Sequence, residues 1–213
     1  MKTPMELRYD KLGPRVVKAL ENRRFNAWYF SEPEEAAEKM FSLIPKTDVV
    51  SWGGSLTIKG IGLTQMVNDR GYKVIDRDKA ETTEQRMDLQ RHALLCDTFL
   101  TGVNAISEDG QLVNIDAFGN RVAAMIFGPK QVIVVAGMNK VQKTLDAAIA
   151  RARTVAAPAN MQRFATCKTP CSETGACADC LSPDSICTFI VHTRLCKPAG
   201  RIKVILIGKD LGL

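Results

Sequence analysis

TDVVSWGGSLTIKGIGL, residues 47–63, changes its periodicity halfway along. TDVVSW is a short run of β-branched and apolar residues, the composition of a buried strand. Two glycines follow, and after them the apolar positions fall at helical spacing until Gly71. A strand handed to a helix through glycine is the building unit of an α/β sheet. The alternation continues outward on both sides. Upstream, Leu7, Leu12, Val16, Val17 and Leu20 mark one helical face, FNAWYF (25–30) reads as a strand, and SEPEEAAEKMFSLI (31–44) reads as a helix capped by Ser31 with Pro33 in its first turn. Downstream come the strand YKVIDR (72–77), a helix opening at Thr82 or Thr83, and the strand DTFLTG (97–102). A hairpin follows that turns at Asp109-Gly110. A helix from Asn120, the almost wholly apolar strand KQVIVVAG (130–137), a long helix over 141–157 and a last buried strand, RIKVILIG (201–208), complete the pattern. The expected architecture is a single α/β domain over residues 1–213, with a mostly parallel sheet covered by helices on both faces. If the last strand rejoins that sheet, residues 160–199 are an excursion from the domain just before it.

Composition narrows the function classes. With 213 residues, 46% hydrophobic and 24% charged, the chain can build a core without covalent staples. The net charge is +6, yet the basic residues are scattered and the aromatics, 6%, are not interleaved with them, so no nucleic-acid surface is expected. The charge itself fits a basic pocket for a phosphate, carboxylate or CoA-like anion as well as it fits nucleic acid, or carries no functional meaning. The first twenty residues lack a continuous apolar segment, and no stretch approaches a membrane span. A cytoplasmic setting is expected, where thiols stay reduced. Neither a Gly-x-Ser-x-Gly elbow nor an HExxH pair is present, which removes the usual hydrolase chemistries.

Two polar islands interrupt the apolar strands. At the first, Gly53, Gly54, Ser55 and Thr57 stand where strand becomes helix, the place where open α/β sheets bind ligands. Glycine permits close backbone approach, and free N–H groups and hydroxyls favour an anion. The competing reading is a tight turn with Ser55 as helix cap. At the second, VNIDAFGNRVA (113–123), Asn114, Asp116, Gly119, Asn120 and Arg121 lie within eight residues. Arg121 could clamp a phosphate or carboxylate, and Asp116 could serve as catalytic general base or hold a ligand hydroxyl. Turn and cap chemistry is the competing reading of Asp116 and Asn120, and on spacing alone the better one. Asn104 is a further ligand candidate or a loop residue that caps its own backbone. Of the two histidines, His92 reads as a surface residue, and His192 is either a metal ligand or an ordinary histidine beside the cysteines.

Six of the seven cysteines fall within residues 167–196. Cys177-Ala-Asp-Cys180 is a CxxC pair, a spacing that lets two thiolates address one metal. Cys171 lies six residues before it and Cys187 seven after, with Pro170, Gly175, Ser182 and Pro183 among them. Structural zinc sites commonly carry two CxxC pairs, and ferredoxin spacings differ from this one, so both an iron–sulfur cluster and zinc stay open for Cys171, Cys177, Cys180 and Cys187. Redox-active thiols without a metal are the alternative. Cys167 and Cys196 are reserves, and Cys96 reads as a small core residue.

Taken together, SWGGSLTIKGIGL, GYKVIDRDKA, TGVNAISEDGQLVNIDAFGNRVAAMIFGPKQVIVVAGMNKV, TPCSETGACADCLSPDSIC and GRIKVILIGKDLG resemble the LUD-domain family, lactate utilization proteins of the LutC/YkgG type, from about residue 25 onward. The resemblance implies a NagB/RpiA/CoA-transferase-like fold with ligands in the loops at the carboxyl ends of the strands. It matches the family's cysteine positions at Cys171, Cys177, Cys180 and Cys187, and departs from it at Ala117, where glycine is expected. It also implies an accessory part in oxidising lactate or a related organic acid, alongside an iron–sulfur oxidase subunit. No flavin or nicotinamide fingerprint is present, so hydride transfer by this domain alone is not expected. Two other readings stay open: an enzyme acting on a sugar phosphate or acyl-CoA-like substrate with a structural metal, and a non-catalytic module docking to an iron–sulfur partner.

Overall fold

A computed structural model describes all 213 residues. Its organising element is β7 (Gln131–Gly137), whose side chains alternate between two separate cores. Val132, Val134 and Ala136 join one cluster, and Ile133 and Val135 join the other. A strand buried on both faces must be apolar at every position, and this is why KQVIVVAG lacks the polar alternation of a half-exposed strand.

Around it lies a six-stranded, wholly parallel sheet in the order β1-β10-β7-β4-β2-β3, with β1 at Asn26–Phe30, β2 at Val49–Trp52, β3 at Lys73–Ile75, β4 at Thr98–Thr101 and β10 at Ile202–Ile207. The last strand therefore does rejoin the sheet, parallel to β1 on one side and β7 on the other. One face is covered by α1 (Pro4–Asn22) through Tyr9, Val16 and Leu20. The other is covered by α2 (Pro33–Ser42), α3 (Leu56–Gly60) and α4 (Leu63–Asp69) through Met40, Phe41, Ile58, Leu63 and Val67. Each such fully buried aliphatic side chain contributes about 1.5–3 kcal/mol relative to exposure.

Several local expectations are refined. The cap of α2 is Glu32, with Pro33 in the first turn, and Ser31 instead donates to Asp10 Oδ1 at 2.7 Å. The helix expected from Ser55 to Gly71 is two helices, because Gly62 adopts φ 73° and breaks it. Thr82 opens α5 (Thr83–His92) with a full capping box to Gln85.

A second, four-stranded sheet stands beside the first, in the order β8-β5-β6-β9. Its hairpin, β5 (Ala105–Ser107) and β6 (Leu112–Asp116), turns through Gly110 at φ 86°, as the Asp-Gly signal requires. Flanking it are β8 (Val141–Gln142) and β9 (Phe189–Thr193), the latter antiparallel to β6. The helix expected over 141–157 begins at Leu145 with Thr144 as its cap. It runs as α7 (Leu145–Arg151), a π-helical turn (Ala152–Ala156) and α8 (Ala157–Met161). Its alanines Ala148, Ala152 and Ala157 let it lie close on Ala105, Val113 and Ile115. Two further helices bear on the site: α6 (Asn120–Ile126) and α9 (Pro170–Thr174). No helix is long and apolar enough to cross a membrane.

Candidate functional site

The carboxyl ends of β2, β3, β4, β6 and β7 face a cleft of about 540 Å³. Its far wall is the cysteine-rich excursion, through Cys167, Pro183, Asp184, Ser185, Ile186 and Thr188. Among its lining residues are five bases, Arg77, Arg86, Arg121, Lys140 and Arg163, against two acids, Asp116 and Asp184. Ala156, Ala157, Phe118 and Phe164 supply apolar wall. A concave surface with an excess of positive charge concentrates small anions.

Six of the residues expected from the sequence line this cleft: Gly54, Ser55, Asn104, Asp116, Asn120 and Arg121. The other four stand behind it. Gly53 lies against Arg121, whose Cγ would be 2.9 Å from any added Cβ. Thr57 is buried, accepting from Lys140 Nζ at 2.8 Å and donating to the Leu211 carbonyl at 3.3 Å. Asn114 is buried and donates to the Gly102 carbonyl at 3.4 Å, its Oδ1 without a partner. Gly119 is the cap of α6 at φ 77°, a conformation that suits glycine.

Arg121 is the best-anchored group in the cleft. Its Nε donates to Asp116 Oδ1 at 2.8 Å, and Nη2 lies 2.7 Å from the same oxygen. The guanidinium also donates to Asn104 Oδ1 at 3.0 Å and to the carbonyls of Ile115 at 2.7 Å and Gly102 at 3.3 Å. The second oxygen of Asp116 accepts the Val122 N–H at 2.9 Å. Asn104 accepts the Ile115 N–H at 2.9 Å, a bond to the facing strand β6 rather than to its own local backbone. Most of the guanidinium's donors and both oxygens of the carboxylate are thus engaged within the protein. The pair welds the start of α6 to the end of β6 and contributes shape and potential to the cleft. Ser55 caps α3, accepting the Ile58 N–H at 3.3 Å, and also lines the cleft.

Two cations not singled out from the sequence are less committed. Arg77 has its Nε buried with no hydrogen-bond partner, 3.7 Å from Asp78 Oδ1 and too far to bond. Its Nη2 lies where a Cβ on Gly54 would be only 2.6 Å away, so glycine at 54 makes room for this guanidinium. Lys140 is 4% exposed and makes one side-chain hydrogen bond, to Thr57. Burial first, then Arg151 and Arg121, bring its pKa down to about 7. Both residues follow the carboxyl end of a parallel strand, β3 and β7 respectively. That position was the sequence-level clue to them.

All seven cysteines are free thiols. Cys96 is a core residue whose thiol burial pushes up to about 12, and Cys196 is spent on the fold, donating to the Pro198 carbonyl at 3.1 Å and accepting the Ile202 N–H at 3.3 Å. Cys167 lines the cleft. The four candidate ligands share one neighbourhood: the Cys187 thiol is pushed up by burial and then by Cys177, Cys171 and Cys180. No three His, Cys, Asp or Glu side chains are drawn together at metal-binding distance. As a donor set, four thiols on a short surface segment fit a soft, thiolate-loving metal. Asp179, inside the CxxC, holds φ 51° and forms an ion pair with Arg153 on the π-helical turn, which fixes the loop to the helix that walls the cleft. His192 stays outside this set, with Nε2 2.6 Å from Gln111 Oε1, and His92 sits on the surface beside Asp88.

The LUD domain family model matches residues 13–207. The chain belongs to the LUD domain family. Among solved structures, a DUF162 family protein from Deinococcus radiodurans is similar over 93% of this chain and 97% of its own, at 13% identity and a TM-score of 0.53. Ribose 5-phosphate isomerase A from Neisseria gonorrhoeae is similar over 53% and 54% of the two chains, at 15% identity and a TM-score of 0.34. eIF2B delta from Chaetomium thermophilum is similar over 67% and 57%, at 17% identity and a TM-score of 0.33. The last two are partial likenesses, and the fold of this LUD domain rests on its own sheet topology and on the Deinococcus structure. A search of curated proteins finds no match.

Proposed function

We propose that this LUD domain is an accessory redox protein of lactate or related organic-acid oxidation. It binds a small anion, a carboxylate, phosphate or CoA-like group, in the basic cleft, and carries an iron–sulfur or zinc centre on Cys171, Cys177, Cys180 and Cys187. One observation carries the reading: the segment that holds the cysteines is itself a wall of the anion cleft. Ile186 and Thr188 line the cleft on either side of Cys187, and Cys187 packs against the small core beneath. A change of charge at the thiols would be felt by whatever anion lies against that wall.

Within this arrangement Arg77 and the Gly54–Ser55 segment lining the cleft are the groups available to an incoming anion. Arg121 and Asp116 hold the floor, and Asn120 at the start of α6 lines it. When bound, an iron–sulfur group would supply one-electron transfer, and zinc would supply rigidity. The test is metal and sulfide analysis with an absorption spectrum on protein purified without oxygen, before and after dithionite, followed by calorimetry with lactate, pyruvate and phosphate. Iron, sulfide and a bleachable band together with anion binding support the proposal. Zinc without colour leaves a structural centre and favours the reading as an enzyme on an anionic substrate, while absence of both metal and anion binding overturns it.

A further inference from the structure

Lys140 is the most unusual ionisable group in the chain that the reading above leaves without a task. It sits in the 3-10 turn directly after β7, lines the basic cleft and is 4% exposed. Buried lysines ordinarily face a carboxylate. This one faces a hydroxyl, at 2.8 Å, and the charged groups acting on it, Arg151 from α7 and Arg121 from α6, carry its own sign. Thr57 gives its hydroxyl proton to the Leu211 carbonyl and so receives an N–H from Lys140. The amine is oriented while its remaining valences are unclaimed by any ion pair.

We infer that Lys140 is a carbonyl-binding amine, which forms an imine with a small carbonyl compound carrying an anionic group. The inference rests on the anion-cleft reading, since the positive lining selects the anion and delivers its carbonyl to the amine. The bond-making step is balanced within the site. The amine nitrogen adds to the carbonyl carbon, the oxygen becomes a hydroxyl, and loss of one water leaves the carbon–nitrogen double bond. A lysine kept neutral by burial and neighbouring cations is the established means of making this amine nucleophilic near neutrality. Near pH 7 a larger share of it is therefore free amine than of a surface lysine of ordinary pKa.

The experiment uses the intact chain at pH 7 with two probes, pyruvate and glyceraldehyde 3-phosphate, each with cyanoborohydride to convert the imine to a stable secondary amine. Peptide mass mapping then locates the adduct. Calorimetry with the same probes, without reductant, reads the anion site separately. The expected result is a saturable adduct on Lys140 at least tenfold above that on any surface lysine, and its loss in Lys140→Arg. Labelling by pyruvate alone assigns a 2-oxo acid, by the phosphate alone a sugar phosphate, and by both the shared anionic-carbonyl class. Calorimetric binding without a Lys140 adduct overturns the inference and leaves the anion cleft standing. Absence of both binding and adduct overturns the two together.

Discussion

Replacing Arg121 with methionine tests what the most elaborate polar cluster in the molecule does. The side chain keeps its unbranched aliphatic stem and loses its charge and every donor. Asp116 is then a carboxylate 9% exposed with a single remaining hydrogen bond, from Val122 N–H, while the Ile115 and Gly102 carbonyls and Asn104 Oδ1 each lose a donor. Removing one partner of a buried ion pair costs about 3–5 kcal/mol, mostly because the other charge is left uncompensated. At roughly 2–4 °C per kcal/mol for a domain of this size, the melting temperature should fall by about 6–20 °C. Urea denaturation should show the same loss as a lower midpoint at unchanged slope. Adding Asp116→Asn should recover part of it, since the orphaned charge is gone, with a coupling of about 0.5–3 kcal/mol. An Arg121→Met protein as stable as the parent, but with anion affinity reduced tenfold or more, would refute the reasoning and return Arg121 to the role of ligand clamp.

Arg77→Ala should behave in the opposite way, weakening phosphate or carboxylate binding by about 1.5–3 kcal/mol in calorimetry while leaving the melting temperature nearly unchanged. Gly54→Ala should reproduce that loss by crowding the Arg77 guanidinium, and an unaltered affinity would mean that Arg77 does not meet the ligand. The depressed pKa of Lys140 means that the unfolded chain binds the extra proton between about pH 7 and the ordinary lysine value. Stability should therefore rise with pH through that window by up to about 1.4 kcal/mol per unit, and Lys140→Met should flatten the rise in urea midpoints measured from pH 7 to 10. Cys177→Ser should abolish metal retention in protein purified without oxygen, and Cys96→Ser, a core position, should not; equal metal content in both would remove the CxxC from the ligand set.

The large sheet is legible in the sequence because two-sided burial writes itself as unbroken apolar runs, as at 130–137 and 201–208. The small sheet is much less so. Its β8 is two residues long, and β9 exposes Phe189, Ile190 and His192, so neither carries a burial pattern to detect. The break at Gly62 and the π-helical turn at 152–156 depend on tertiary fit and leave the helical spacing of the residues intact. For the site, the two glycine-flanked loops stood out as polar islands, and the structure brings five of their expected residues, with Asn104, to one cleft. What spacing does not report is which donors are already taken. Arg121 resembles a free clamp in the sequence and is tied to Asp116 in the fold. Arg77 and Lys140 look ordinary in the chain, and become unusual only where separate strand ends bury each of them on one cleft with too few partners.

The position of β10 has a consequence for how the molecule is made. β1 pairs with no other strand, and β10 is the only link between it and β7. While the polypeptide is being synthesised, residues 26–30 emerge early and wait, unpaired, until residues 202–207 have left the ribosome. Only then can β1 join the sheet, as its edge strand. Everything between, including the whole cysteine segment and all four strands of the smaller sheet, is translated before β1 finds its partner, so the smaller sheet can form while the larger one still lacks its edge.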